Sequence, residues 1–110
     1  FPNDPVFHVN RGIALYFSGQ LKQAVLDFRK ATELRPDYLE AHLSLASALA
    51  EQEEFEEAMR EADRAFKLVT DREAPIYRRT LELQTHLRER SGGSGDAILE
   101  PAKRRSSRQQ

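Results

Sequence analysis

A step of 34 residues runs through this chain. Ala24 to Pro36 reads AVLDFRKATELRP, and Ala58 to Thr70 reads AMREADRAFKLVT. The same step joins His8 with His42, Ala14 with Ala48, Leu15 with Leu49, Ala31 with Ala65 and Leu34 with Leu68. A fixed period of this length is the signature of a helical repeat array, in which each unit buries its apolar face only against its neighbours.

Between the repeat marks the apolar residues fall at helical spacing. Asp4 can cap a first helix with Pro5 as its first residue, and Val6, Val9, Ile13 and Phe17 follow, ended by Gly19. Phe7, Ala14 and Leu15 give that helix a second apolar row, so it needs cover on two sides or a ligand. Leu21, Ala24, Val25, Phe28, Ala31 and Leu34 mark a second helix, stopped by Pro36. Asp37 can cap a third, Tyr38 to Glu51, with Ala41, Leu45, Ala48 and Leu49 inward. Phe55, Ala58, Met59, Ala62, Ala65, Phe66 and Leu68 drive a fourth, broken at Thr70-Asp71. Ile76, Thr80, Leu83 and Leu87 carry a fifth to about Arg90. The expected fold is all-α: a right-handed stack of antiparallel helix pairs over residues 1–90, closed by a capping helix.

Residues 91–95, SGGSG, have no side chain able to join a core and behave as a flexible linker. Residues 96–110, DAILEPAKRRSSRQQ, hold one apolar pair, Ile98 and Leu99, then Pro101 and the cations Lys103, Arg104, Arg105 and Arg108. That segment has no helical period and too little apolar surface to order itself. It reads as a partner-derived peptide joined to its receptor by an engineered linker, or as a natural disordered basic tail. The chain begins at Phe1 rather than Met, which reads as a fragment or a processed form.

With the period and the helix pairs in hand, the residues resemble the tetratricopeptide repeat (TPR) family. Gly12, Ala24 and Ala31 match its small crossing positions, Leu15, Leu21 and Phe28 its large ones, and Pro36 its closing proline. Ala46, Ala58 and Ala65, with Leu45, Leu49 and Phe55, match in the second repeat. His8 and His42 stand where the family usually has tryptophan. Ala62 stands where the first repeat has Phe28, and Phe66 is positioned to fill that space. Thr70 replaces the closing proline.

The resemblance implies a concave groove, lined by the first helix of each repeat, that takes an extended peptide. Carried over, its lining is Val9, Asn10, Ile13, Tyr16 and Phe17, then Leu43, Ser44, Ser47, Ala50 and Glu51, then Tyr77, Arg78 and Leu81. The lysine and asparagine clamp by which co-chaperone TPR domains hold a chaperone's C-terminal carboxylate is essentially missing. Its positions hold Val9, Ile13, Ser44 and Ala74, with Arg78 the single basic match.

The implied function is a non-enzymatic protein–protein interaction module, with the tethered segment 96–110 as one candidate ligand. The alternative is a self-associating scaffold. Either class is protein-binding; homo-oligomers are a candidate, and neither a membrane nor a nucleic acid is an expected partner.

Other chemistry finds little support in the residues. His8 and His42 sit in successive helical layers, about 10 Å apart at the packing distance of helices, too far to share one zinc ion. No metal or cofactor is expected. Glu51, Glu53, Glu54, Glu56, Glu57 and Glu61 crowd one turn and helix start, where solvated acids suit the helix dipole. With no cysteine in the chain, thiolate catalysis and disulfides do not arise. No apolar run reaches the roughly 20 residues of a membrane span, and an intracellular setting, cytoplasmic or nuclear, is the expectation.

Overall fold

The computed structural model describes residues 3–70 and 74–90. These form five helices: α1 Pro5–Phe17, α2 Leu21–Leu34, α3 Leu39–Glu51, α4 Phe55–Leu68 and α5 Pro75–Arg90. There is no strand among the described residues. α1 pairs with α2 and α3 with α4, α3 also packs on α2, and α5 closes the stack against α4 and α3. Near one end of the α4–α5 pair the Phe66 and Tyr77 rings lie 5.6 Å apart. Near the other the Arg90 guanidinium sits 5.4 Å over the Phe55 ring. Those two contacts fix the pair as antiparallel.

Each helix boundary has a local cause. The Asp4 carboxylate accepts a hydrogen bond from the Val6 amide at 3.0 Å, and Pro5 begins the helix. Gly19 turns the chain at φ 86° with open space around its α-carbon. The equivalent residue one repeat later is Glu53, which adopts the same left-handed turn at φ 63°. Asp37 does not cap α3, contrary to expectation. Tyr38 occupies the cap without a side-chain bond, and Asp37 instead lies 3.6 Å from Arg35 in an exposed ion pair. The Thr70-Asp71 break falls partly outside the described residues.

Small residues let the helices approach. Ala24, Ala31, Ala41, Ala46, Ala58 and Ala65 are wholly buried. Around them Phe28, Leu45, Leu49 and Leu87 fill the core. The two repeats pack differently at one crossing. In the first, Gly12 meets the ring of buried Phe28; in the second the equivalents are Ala46 and Ala62, both wholly buried. Phe66 was expected to fill the space left by Ala62, but its ring turns to Tyr77 of α5.

Candidate functional site

The three first helices of the stack place side chains from α1, α3 and α5 around one cleft of about 300 Å³. α1 supplies Ile13, Tyr16 and Phe17; α3 supplies Glu40, Ser44 and Ser47; α5 supplies Arg79; and Phe28 of α2 lies beneath. The residues fall on one face of each helix by the 3.6-residue period: 13, 16 and 17 on α1, and 40, 44 and 47 on α3.

Phe17 is 80% exposed. Its ring meets Tyr16 edge-on at 5.2 Å, so an aromatic pair forms the lip. Burial pushes the Tyr16 hydroxyl's pKa up, and the charge of Glu51 adds to that, so the hydroxyl stays protonated and able to donate at neutral pH. Across the cleft Arg79 and Glu40 approach to 3.9 Å, a loose ion pair between α5 and α3 with both side chains partly exposed. The cleft thus offers apolar surface, two serine hydroxyls and one charge of each sign, a mixture usual in ligand sites.

Of the residues expected to line the groove, Ile13, Tyr16, Phe17, Ser44 and Ser47 come together in it. Val9, Leu43 and Ala50 are buried in the helical stack and present no free surface. Asn10 is exposed on α1, and Glu51 is exposed at the end of α3. Tyr77 turns to Phe66 of α4. Arg78 and Leu81 share a different surface of α5 with Glu82, Thr85, His86 and Glu89. The ligand residues Ile98, Leu99, Pro101, Lys103, Arg104 and Arg105 lie outside the described residues, as does the linker 91–95.

The buried positions of α5 follow a different offset from those of the first two repeats. Thr80, Gln84 and Leu87 are buried at the spacing of His42, Ala46 and Leu49, but 38 positions later rather than 34. The buried pattern of α5 therefore repeats that of α3 four residues late in the sequence. At that offset Arg79 of the cleft corresponds to the buried Ala41, and the counterparts of Glu40, Ser44 and Ser47 are Arg78, Glu82 and Thr85 on the other surface of α5. Glu40, by contrast, was legible: it precedes Ser44 by four residues and shares its face.

Two further clusters escaped the sequence reading. His8 Nδ1 lies 3.2 Å from Asp27 Oδ1. Arg11 clamps the same carboxylate with two hydrogen bonds of 2.7 Å, from Nε to Oδ2 and from Nη2 to Oδ1. The Arg11 hydrogen bonds hold Asp27 below its ordinary pKa against the effect of burial, with His8 contributing. One repeat later His42 Nδ1 lies 2.7 Å from Glu61 Oε1, and Arg64 binds the other Glu61 oxygen. Asp27 and Glu61 are themselves 34 apart, so the period held the signal. Glu61, expected on the solvated surface with its acidic neighbours, is only 4% exposed. Glu57 leaves that cluster too, pairing with Arg29 at 2.5 Å. Among the described residues no group of three or more His, Cys, Asp or Glu is placed to hold a metal ion, and no helix is long and apolar enough to cross a membrane.

Residues 12–53 match the sequence model of the TPR repeat family. They begin at the Gly12 crossing and end at the Glu53 turn, so they take in the second half of α1 and all of α2 and α3. The five-helix stack is consistent with a TPR domain. No curated protein sequence matches the chain. TPR repeats generally mediate protein–protein interaction, and as a class they are interaction units rather than catalysts.

Proposed function

We propose that this TPR domain binds an extended peptide in the cleft between α1, α3 and α5, and that segment 96–110 of the same chain is such a peptide. The exposed Phe17 at the lip of that cleft carries the reading: a large aromatic side chain left 80% in water beside apolar and hydroxyl-bearing walls gains most when a ligand covers it. Ile98 and Leu99 are the apolar residues the segment offers, and Pro101 keeps its backbone extended.

Reach permits the assignment. From Arg90 back to the level of Arg79 is eleven residues of helix, about 16 Å along the axis. From Arg90 forward to Ile98 is eight residues, roughly 26 Å when extended. A short flexible tether also supplies an effective concentration in the millimolar range, enough to hold a weak ligand.

The test uses the full chain with Leu99→Asp, which disables the tethered ligand, titrated with a separate 96–110 peptide. Saturable shifts of the Ile13, Tyr16, Ser44 and Ser47 amide resonances are expected, lost when Phe17 is also replaced by Ala. No shift at millimolar peptide overturns the reading. Self-association is the second reading, favoured by Val6 and Leu26, 44% and 60% exposed and outside the cleft. Light scattering tests it: mass rising with concentration supports it, and a monomer mass at high micromolar concentration removes it.

A further inference from the structure

The buried His42 is held in a way that fixes its protonation. Nδ1 lies 2.7 Å from the Glu61 carboxylate, and Nε2 lies 2.7 Å from the Pro36 carbonyl oxygen. A carbonyl oxygen only accepts, and an ionised carboxylate only accepts. Neither bond forms unless the ring nitrogen carries a proton, so both nitrogens are protonated and the ring is a cation. The conclusion does not depend on which tautomer is assigned, because both partners are acceptors. Arg64 on the far oxygen of Glu61 keeps that carboxylate ionised, so the carboxylate cannot take over as donor.

We propose that His42 is a proton-controlled latch, whose imidazolium ties the α2–α3 turn at Pro36 to α4 at Glu61 and releases the turn on deprotonation. His42 and Glu61 are 6% and 4% exposed, so the bond between them is buried, while the bond to the exposed Pro36 is half-buried and within reach of solvent. Of the groups that face the pair, α4 brings Glu61, Arg64 and Lys67; α2 brings Glu33 and Thr32; and the turn brings Pro36, all around one cavity of about 450 Å³ on the α2–α4 side of α3. Arg29 of α2, paired with Glu57, adds its charge near Glu61. Lys67 is engaged by Asp63 at 3.1 Å, and the Thr32 hydroxyl donates to the Arg29 carbonyl.

When the ring loses a proton, Nδ1–H is retained, because it donates to a charged acceptor and that bond is the stronger. Nε2 gives its proton to solvent and is left with a lone pair facing the Pro36 carbonyl. Two acceptors at 2.7 Å repel, and the turn must move away. The turn leads directly into Tyr38, which caps α3, so release loosens the start of that helix. The hydrogen bond to Glu61 raises the His42 pKa above its ordinary value, more than burial lowers it, and the bond to Pro36 adds to the rise. Release therefore falls on the alkaline side of the ordinary histidine value.

The full chain, titrated by NMR, tests this. The His42 ring resonances, assigned by their loss in His42→Gln, should titrate with a midpoint above the ordinary histidine value. The Asp37, Tyr38 and Leu39 amide resonances should follow the same curve, and that step should vanish in His42→Gln. Glu61→Gln should pull the midpoint down, and it serves as the second variant if His42→Gln fails to fold. A His42 midpoint at or below the ordinary value overturns the latch, as does a turn whose resonances ignore the ring titration.

Discussion

A β-carbon built on Gly12 would lie 2.6 Å from Cε1 and 2.8 Å from Cδ1 of Phe28. The ring is 1% exposed and must shift to admit the added carbon. Gly12→Ala should therefore overpack the α1–α2 crossing and cost roughly 1–3 kcal/mol. The second repeat shows how the volumes can be exchanged, with alanine at both equivalents, Ala46 and Ala62. In a double-mutant cycle, Gly12→Ala should be much less damaging in a Phe28→Ala background than alone. Urea melts of the four proteins read the coupling, and strict additivity would contradict the contact.

Gln84 is 1% exposed, and neither its amide oxygen nor its amide nitrogen has a hydrogen-bond partner among the described residues. An unmade bond at a buried polar group costs on the order of 1–3 kcal/mol. Gln84→Met keeps the length of the side chain and removes both polar atoms. It should stabilise the domain, by about 1 kcal/mol after the imperfect fit of the sulfur is allowed for. A lower midpoint of thermal unfolding would show that the amide has a role.

Glu53 holds a left-handed backbone at φ 63°, where an L-residue other than glycine or asparagine is disfavoured by about 1–2 kcal/mol. The side chain is exposed. Glu53→Gly relieves the strain but gains chain entropy in the unfolded state, about 0.4–1 kcal/mol in the other direction. The expected net is a stabilisation of roughly 0.5–1 kcal/mol. Gly19→Ala is the mirror experiment. No atom lies within 4 Å of the added carbon, so its cost, about 1 kcal/mol, should come from the backbone alone.

The buried carboxylates set the acid limb of stability. Arg11 holds Asp27 below its ordinary pKa. Burial alone would raise the Glu61 pKa, but the hydrogen bond from His42 and the charge of Arg64 outweigh it and the net shift is downward. Depressed pKa values give stability that is complete above the unfolded-state values, about 3.9 and 4.3, and is lost as pH falls through the folded ones. His42, raised, gives stability that is complete below about 6.5 and is lost as pH rises through its folded value. Stability should thus be greatest between about pH 4.5 and 6.5. Asp27→Asn should flatten the acid limb and leave the alkaline one, as read by urea midpoints across pH.

The period made the first four helices legible to within a residue, because apolar spacing and small crossing residues are local facts of the sequence. Asp37 misled because a capping residue type was present without the geometry to use it: Arg35 competes for its carboxylate. The His–carboxylate pairs stayed hidden for another reason. Asp27 and Glu61 differ in length, and each looks like a surface acid until its helix is turned toward a histidine 19 residues away. α5 was legible as a helix but not in register. Its buried positions, Thr80, Gln84 and Leu87, fall 38 residues after those of α3, and nothing in a period of 34 anticipates that. The cleft inherited the same split: its α1 and α3 walls follow from the repeat, and Arg79 follows from neither offset.

Charge supplies the last test of the cleft. Residues 1–90 carry 13 Lys and Arg against 16 Asp and Glu, whereas residues 91–110 carry 4 against 2. A basic segment should therefore be drawn to an acidic body, and exposed pairs of this kind mainly speed encounter and are screened by salt. Apolar anchoring is not screened, and a fully buried Ile or Leu contributes roughly 1.5–3 kcal/mol. The two contributions separate in the titration of free 96–110 peptide into the Leu99→Asp chain. Raising salt from 50 mM to about 500 mM should weaken binding several-fold, chiefly by slowing association. Replacing Phe17 by Ala should instead speed dissociation and leave the salt slope unchanged. Glu40→Lys should lower the salt slope, because it removes an acid from the cleft and puts a second cation beside Arg79, 3.9 Å from the present carboxylate. Binding that follows salt alone and ignores Phe17 would place the peptide on the acidic surface of the stack and outside the cleft.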